Sequence, residues 1–463
     1  MLIPGFCLRV FFYIRGVQPM LESAFELVVP SASWERAQEG LLLLHSGMSP
    51  YSGGVFTGSP LILAVVQLCK GLQGLGGQWT AIFVFAFLDT LCGLLLRSIC
   101  ARVVEEESTS WEKELEEWMP DDAKPGFSPQ EPAGDAWTTR VTAAGLPDAV
   151  LAAYLLNPVS IGQCVALSGD ISGRFFLLAT LFCAQSGWPA WCAVALAAGA
   201  SFWRIHTAVL LVPAVLITAQ DETGGSPCQL RKEGDMGAQG FYLHSFSLPA
   251  RELLCVSGMF LAWLGVFSGA SWLWTLRSWA FLRSAAGVQL MCEDLTPNVG
   301  LYWYFFTEIF PRFRLFFRVL FLSHPYVYVL PATIRLGMFP DVLAHLLLAV
   351  FGIFQTYPTF GDLMLSACLF MCHPNTTSRM RLVVPLALIG TVPCILLPAM
   401  RHVWLRAGTG NANFYYFQTV IFNVLHSVFV LQFMAAAVKR RKALANALAR
   451  RERERTGAKG GGG

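Results

Sequence analysis

Ionisable side chains inside apolar stretches are the residues of this chain whose chemistry most needs an explanation. A charge inside a lipid bilayer is costly, so such residues face the interior of a helix bundle or a cavity, where they either bind something or hold helices together. For each of them taken alone, contacts between helices are the favoured interpretation. The four-residue spacing of Asp170 and Arg174 predicts a local ion pair on one helix face. The residues concerned are Asp89, Asp170, Arg174, Arg204, His206, Glu308 and Asp362.

Two short segments concentrate amide and aromatic side chains. One spans residues 293–310 (EDLTPNVGLYWYFFTEIF), and the other spans residues 407–417 (AGTGNANFYYF), where a glycine-rich turn leads into an aromatic helix. Aromatic rings pack well on acyl chains and sugar faces, and amides both donate and accept hydrogen bonds. The segments predict contact with an amphiphile, its glycan or phosphate head on the amides and its acyl chains along the helix over residues 302–310. The predicted binding residues are Asn298, Tyr302, Trp303, Tyr304, Glu308, Asn411 and Asn413.

A purely structural role for the second segment is an equally weighted alternative. Asparagine is a common N-cap residue, and Asn413 stands directly before the aromatic helix start. In that case the amide would serve the backbone of its own helix and would not contact a lipid.

The elements that position these residues are membrane helices. Of the 463 residues, 55% are hydrophobic and only 14% are charged, whereas a soluble domain has roughly 25% charged residues. The composition predicts an all-α polytopic membrane protein with about ten to twelve crossings, because several apolar runs are interrupted and can be divided in two ways. The predicted spans are 79–99, 149–165, 175–185, 188–217, 253–276, 301–322, 326–336, 342–354, 361–372, 382–400 and 414–438.

The two ends of the apolar region are less regular. Residues 61–69 are too short to span a membrane and are interpreted as a re-entrant or interfacial piece. Residues 1–17 are also short, and Arg9 and Arg15 weaken them as a span. No small-residue cleavage site closes this segment cleanly, so it is predicted to be an uncleaved first helix.

Polar segments divide the chain into a transmembrane domain (1–438) and a basic tail (439–463). The tail has nine Lys and Arg against two Glu, so the positive-inside rule places it in the cytosol, and an even number of crossings places the loop over residues 22–59 in the lumen. Two loops interrupt the domain: an acidic one over 102–140, with an apolar stripe of Trp111, Leu115 and Trp118, and a flexible one over 220–240. The sequence leaves open the side of the glycosylation sequon at Asn375.

Motifs for metal binding, cofactor binding or catalysis are weak. Cys368, Cys372 and His373 have near-ligand spacing, but a closed zinc site needs four ligands and no further ones are nearby. The favoured interpretation is that these thiols behave as small buried hydrophobic groups. The sequence predicts no metal, no cofactor, no catalytic residue and no nucleic-acid partner.

Four segments resemble the class U subunit of glycosylphosphatidylinositol (GPI) transamidase. They are SWERAQEGLLLLHSGMSPYSGGVFTGSPLI, LTPNVGLYWYFFTEIFPRFRLFF, YPTFGD and AGTGNANFYY, and the likeness runs from about Ser33 to Phe433 in the same order. The resemblance implies a multi-pass protein of the endoplasmic reticulum membrane. It also implies membership of a complex that replaces a C-terminal signal peptide with a GPI anchor. The other partners would be the GPI lipid and further subunits, including the cysteine protease that performs catalysis.

The loop over residues 39–62, which we call the early loop, is also similar to the first luminal loop of the membrane-embedded (GT-C-like) GPI mannosyltransferases. This similarity implies that the chain has the scaffold of those enzymes. The residues that give this loop its set shape are Ser49, Pro50, Tyr51 and Gly53. In those enzymes an acidic pair precedes the tyrosine by about twenty residues and serves as a metal ligand or a general base. Here Ser31 and Ser33 stand in its place, and hydroxyl groups do neither job.

Three functions therefore compete. The first is a non-catalytic subunit that recognises the GPI lipid, the second a dolichol-phosphate-dependent mannosyltransferase, and the third a lipid transporter or scramblase. The missing acidic pair argues against the second. The third lacks a detectable inverted repeat, the usual sign of a secondary transporter. The first is the expected function.

Overall fold

The computed structural model describes residues 1–76, 79–109, 145–223 and 249–460, and in these ranges the chain is helical, with no β-strand. The predicted stripe of Trp111, Leu115 and Trp118 and most of the loop over 220–240 lie outside the described residues. The α-helices are α1 (Leu2–Ile14), α2 (Gln18–Glu22), α3 (Trp34–His45), α4 (Pro60–Gly76), α5 (Thr80–Thr109), α6 (Leu146–Leu155), α7 (Pro158–Val165), α8 (Asp170–Gln185), α9 (Pro189–Phe202), α10 (Leu211–Thr223), α11 (Ala250–Trp274), α12 (Val288–Met291), α13 (Tyr302–Glu308), α14 (Pro311–Val327), α15 (Val329–Leu336), α16 (Pro340–Phe354), α17 (Phe360–Met371), α18 (Pro374–Thr377), α19 (Val383–Leu405) and α20 (Ala412–Gly460).

The described helices confirm an all-α, multi-pass membrane protein. Five of them are long and apolar enough to cross a membrane, and the number rises to six if the α6–α7 pair, bent by 47°, is counted as one broken span. Six further apolar helices have 10–17 residues, which is short of the roughly 20 residues that a straight crossing needs. The count of ten to twelve crossings and the mannosyltransferase-like scaffold therefore stay predictions.

The predicted span over 301–322 is wrong in its boundaries. The chain breaks after Glu308, because Phe310 precedes Pro311 and has extended backbone (ψ 137°), as the residue before a proline prefers. The helix that starts at Pro311 then continues through Leu336 as a single candidate span of 26 residues. Residues 301–322 and 326–336 are thus one short helix followed by one long one.

The predicted span over 188–217 is also interrupted. α9 ends at Phe202, and a 3₁₀ turn (Ile205–Leu210) follows before α10 begins. At the break Arg204 has extended backbone (φ −139°), and its side chain forms ion pairs with two aspartates. The interruption places this charge in the protein interior and keeps it away from lipid.

The bundle has two polar ends. The end that we call the loop face carries residues 18–60 and the turn 406–411. Arg401 on α19, five residues before this turn, donates a hydrogen bond to the Ser23 carbonyl oxygen. The opposite end, the tail face, carries the last turns of α5 and the segment after residue 438. α20 continues without a break past 438 to Gly460, and Arg440 and Leu444 on it are buried.

Candidate functional site

A buried ion pair between Arg9 and Asp89 begins a polar network in the bundle interior. The two side chains are completely buried and approach to 2.5 Å. Tyr154 and Ser160 also donate to the Asp89 carboxylate, at 2.6 and 3.0 Å. Arg9 therefore holds α1 against α5, α6 and α7, and does not merely weaken α1 as a membrane helix, as the sequence suggested. A partner 80 residues away cannot be read from spacing.

A second ion-pair group surrounds Arg204. Its guanidinium donates to Asp170 at 2.7 Å and to Asp362 at 2.8 Å, and it also contacts the Gln355 side chain. The predicted local ion pair between Asp170 and Arg174 is wrong. Arg174 instead donates to Tyr154 and Gln163, because the helix α8 directs the two charges to different partners.

Gln163 and Thr359 connect the two groups. Gln163 accepts from Arg174 at 2.6 Å and donates to the Thr359 hydroxyl at 3.1 Å. Thr359 and Asp362 form a capping box at the start of α17, so the YPTFGD segment places Asp362 by local backbone chemistry. The network contains three arginines and three aspartates, Arg9, Arg174, Arg204, Asp89, Asp170 and Asp362, and its formal charge is zero.

Two glycines allow the network to close. A Cβ atom on Gly361 would lie 2.3 Å from the Gln163 side chain and 2.5 Å from that of Arg174. A Cβ atom on Gly173 would lie 1.8 Å from the Trp203 ring. Because the charges are paired and hydrogen-bonded across several helices, this arrangement has the character of a structural lock between helices.

The turn that carries Asn411 and Asn413 on the loop face, which we call the asparagine turn, differs from this buried network. Asn411 caps α20, since its Oδ1 atom accepts from the backbone N–H groups of Asn413 and Phe414, at 3.0 and 3.3 Å. The alternative that Asn413 is the cap is therefore wrong. The side-chain oxygen of Asn413 accepts from the Tyr304 hydroxyl instead. Both asparagines are exposed, and within the described ranges neither side-chain NH₂ group has a hydrogen-bond partner.

Aromatic rings from α13, α19 and α20 pack against one another next to this turn. Trp303 is buried and packs against Trp404, Tyr415 and Tyr416, with ring centroids 5.9–6.4 Å apart. Tyr304 stacks on Tyr416 at 4.6 Å. α13 and the start of α20 are thus joined by rings, which position the asparagine amides at the edge of the apolar bundle.

The other predicted lipid-binding residues have distinct positions. Glu308 is exposed and lies beside Tyr304, and desolvation, followed by the Glu308 charge, raises the pKa of the Tyr304 phenol. Tyr302 is buried and donates to the Phe321 carbonyl oxygen on α14. Asn298 is also buried, and its amide holds its own loop through Thr296 and Gly300. Contact of Asn298 with a lipid stays a prediction.

The early loop on the loop face is held by contacts among its own residues and with α3. Tyr51 donates to the Gly58 carbonyl oxygen at 3.1 Å and stacks on Phe56 at 5.4 Å. Phe56 lies between Gly40 and Gly58, where added Cβ atoms would approach its ring to 2.8 and 2.7 Å. Pro50 is buried, Ser49 accepts from the Tyr51 backbone, and Gly53 faces Leu43. These contacts favour a set shape for the loop, which stays a prediction.

The two serines at the expected acidic positions point to different places. Ser33 is the N-cap of α3 and accepts from the Arg36 backbone N–H at 3.3 Å. Ser31 is half-buried and lines a small, partly open cavity of about 50 Å³ beside Arg204 and Gln289. They do not form a pair, so even carboxylates at these positions would be directed apart.

A cleft of about 430 Å³ on the loop face contains a carboxylate that the sequence analysis missed, Glu22. It accepts from the Glu35 backbone N–H at 2.7 Å and from the Gln18 amide at 2.5 Å. Burial raises its pKa above the usual glutamate range, although these hydrogen bonds oppose the shift. Its oxygens are used to tie α2 to α3, which gives Glu22 a structural account.

A second missed group lies on the tail face. Arg440 on α20 donates to the buried carboxylate of Glu107 at 2.7 Å, and the Asn375 backbone N–H donates to the same carboxylate at 3.0 Å. His373 approaches it at 3.3 Å and contacts His345 at 2.8 Å. The sequon at Asn375 is thus on the same face as the basic tail. In the described part of the chain, no three His, Cys, Asp or Glu side chains are grouped to hold a metal ion.

Comparison with known proteins identifies the family. The profile described as "PIG-U: GPI transamidase subunit PIG-U" matches residues 3–422. The chain belongs to the PIG-U family. It is similar to the human protein named GPI-anchor transamidase component PIGU, with 29% identity over 96% of this chain and 95% of the human one. The protein of Schizosaccharomyces pombe named GPI transamidase component GAB1 homolog is 30% identical over 93% of this chain and 91% of its own length.

A more distant relative has the same kind of name. The Saccharomyces cerevisiae protein named GPI transamidase component GAB1 is 22% identical over 88% of this chain and 85% of its own length. The resemblance inferred from the four sequence segments is confirmed. The chain is a GPI transamidase subunit with several membrane-spanning helices.

Proposed function

We propose that this PIG-U family chain is a non-catalytic subunit that recognises the GPI lipid in the endoplasmic reticulum membrane. The observation that carries the proposal is the pair of exposed amide NH₂ groups on Asn411 and Asn413. Each amide oxygen already has a protein partner, the α20 backbone for Asn411 and Tyr304 for Asn413. The remaining donors face outward and suit the oxygens of a phosphate or a sugar.

The position of the turn supports a membrane-anchored ligand. It lies between two candidate spans, α19 and α20, with Phe414 exposed beside it. Tyr304 and Tyr416 form a stacked platform under the amides, and aromatic residues at a membrane interface contact both headgroups and acyl chains. The arrangement favours a lipid whose polar head rises above the bilayer on the loop face.

The positions of Ser31 and Ser33 support a non-catalytic role. A mannosyltransferase of the resembling type needs two carboxylates at these positions, whereas Ser33 caps a helix and Ser31 lines a small cavity beside Arg204. The cysteine protease of the complex is then a different chain. The GPI lipid and the other transamidase subunits are the expected partners, and the loop face is expected to lie in the lumen.

The proposal is tested by complementation. In cells that lack the endogenous subunit, the double variant Asn411→Ser, Asn413→Ala should assemble with its partners at normal abundance but support less GPI attachment, because the serine keeps an oxygen that can cap α20. The matched control is Ser378→Ala, an exposed polar residue at the other end of the bundle. If the double variant fails to assemble while the control is normal, the two asparagines serve the structure of α20, and the lipid site lies elsewhere.

A further inference from the structure

Two arginines on α14 have no counter-ion among the residues that the structure describes. Arg314 and Arg318 are one helical turn apart, so their guanidinium groups share one face of the helix. In the part of the chain that the structure describes, no carboxylate lies within 4 Å of either, and the Nε atom of each is buried without a hydrogen-bond partner. Arg318 makes one hydrogen bond, to the Cys292 carbonyl oxygen at 3.2 Å, and lies over the Phe306 ring.

The depth of these residues is set by the helix that carries them. α14 and α15 form one candidate span, whose far end contacts the tail face through Arg441 and the Arg335 carbonyl oxygen. Arg318 is 17 residues before Arg335, about 25 Å at the helical rise, and Arg314 is about 6 Å farther along. With a hydrocarbon core about 30 Å thick, Arg314 lies at the headgroup level on the loop face, and the backbone of Arg318 lies about 5 Å below it. A long arginine side chain can extend over that distance toward the headgroups.

The surroundings point to lipid. Only a small part of this span is covered by the rest of the protein, and the neighbours Leu315, Phe316 and Val319 are exposed by 56–64%. Two like charges one turn apart repel each other, and the repulsion is stronger where water is scarce. An anion bound between them would remove it, and a planar guanidinium matches the geometry of phosphate oxygens.

We propose that Arg314 and Arg318 bind the phosphate group of a lipid in the leaflet on the loop face. This site is separate from the asparagine turn. Trp303 and Tyr304 face the turn, whereas Phe306 on α13 lies under Arg318. The proposal does not depend on the asparagines binding GPI, so the two can fail independently.

The test compares lipid binding by the purified complex containing wild-type chain or Arg314→Gln, Arg318→Gln. After removal of native lipid, dioleoyl phosphatidylinositol is titrated and the bound lipid is counted by native mass spectrometry. Dioleoylglycerol, which has no phosphate, is the lipid control, and Arg312→Gln, at an exposed arginine on the same helix, is the protein control. We expect the double variant to lose at least about tenfold in apparent affinity for the phosphoinositide, with dioleoylglycerol binding unchanged.

A kinetic measurement distinguishes the two sources of the phosphate. If it belongs to the GPI substrate, the KM for a GPI precursor should rise in the double variant. If it belongs to a resident phospholipid, the KM should stay constant while phosphatidylinositol affinity falls. Either result supports the site. Equal phosphatidylinositol binding by the double variant and the wild type would overturn it, and so would an equal loss with Arg312→Gln. Loss of a partner subunit with lipid binding intact would also overturn it, because the arginines would then contact protein.

Discussion

The polar network around Arg204 and the turn at Asn411 are both built from polar residues of a membrane protein, but they differ in how their hydrogen bonds are used. In the network, Arg204 is bound by two aspartates and Asp89 by Arg9, Tyr154 and Ser160. At the turn, the amide oxygen of each asparagine accepts a hydrogen bond, whereas the NH₂ group of each has no partner among the described residues.

This difference favours a structural role for the network and a ligand-binding role for the turn. Buried charges are tolerated only when they are paired, so a complete and neutral network is what helix packing requires. An exposed donor at the membrane edge has no such requirement and can exchange water for a ligand. Ionisable residues at membrane depth were the first candidates from the sequence, yet the amides at the edge have the stronger claim to a ligand.

The largest expected effect follows from removing the charge at the centre of the network. Arg204→Gln would leave the buried Asp170 and the half-buried Asp362 without their counter-ion, which we expect to destabilise the chain by about 3–5 kcal/mol. The measurement is thermal unfolding of the purified complex, together with the yield of assembled subunit. The control is Arg97→Gln, which breaks the exposed ion pair with Asp148. An unfolding temperature for Arg204→Gln equal to that of the control would show that the network is not a structural lock.

Sequence reasoning located much of this arrangement but not its connections. Helix class, the GPI transamidase family and the polar residues Asp89, Arg204 and Asp362 were all readable, because composition, long motifs and isolated charges are local signals. The partner of Arg204 at Asp362 is 158 residues away, and one sequence carries no information on such pairing. Capping was offered as an alternative role for Asn413, two residues beyond the cap at Asn411, and a two-residue shift of a helix start lies within the uncertainty of such assignments.

A smaller effect is expected at the turn, where two substitutions of one residue separate its two roles. Asn411→Ser keeps an oxygen that can cap α20 but removes the NH₂ donor, whereas Asn411→Ala removes both. We expect both variants to raise the apparent KM for a GPI precursor by about tenfold, the loss of one hydrogen bond to a charged group. Only the alanine variant should also lose about 1 kcal/mol of stability. A normal KM for the serine variant would restrict Asn411 to its capping role.

At Asn375 we expect no glycosylation, which makes this the smallest of the predicted effects. The sequon lies on the tail face, bound to Glu107 and close to the buried Arg440, so it should be in the cytosol and carry no glycan. Digestion with an N-glycosidase should leave the electrophoretic mobility of the wild type unchanged. Val55→Asn creates the sequon Asn-Phe-Thr at an exposed position of the loop face and should become glycosylated. The opposite pattern would invert the assigned orientation.

The most direct test of lipid recognition at the asparagine turn is photocrosslinking at Phe414. This exposed ring follows the two asparagines, so p-benzoyl-phenylalanine there changes little and reports on the neighbouring ligand. The control position is Leu431, equally exposed on the same helix but about 25 Å farther from the turn. We expect the assembled complex to crosslink a radiolabelled GPI precursor at Phe414 and not at Leu431. Equal labelling at both positions, or labelling at neither, would contradict it.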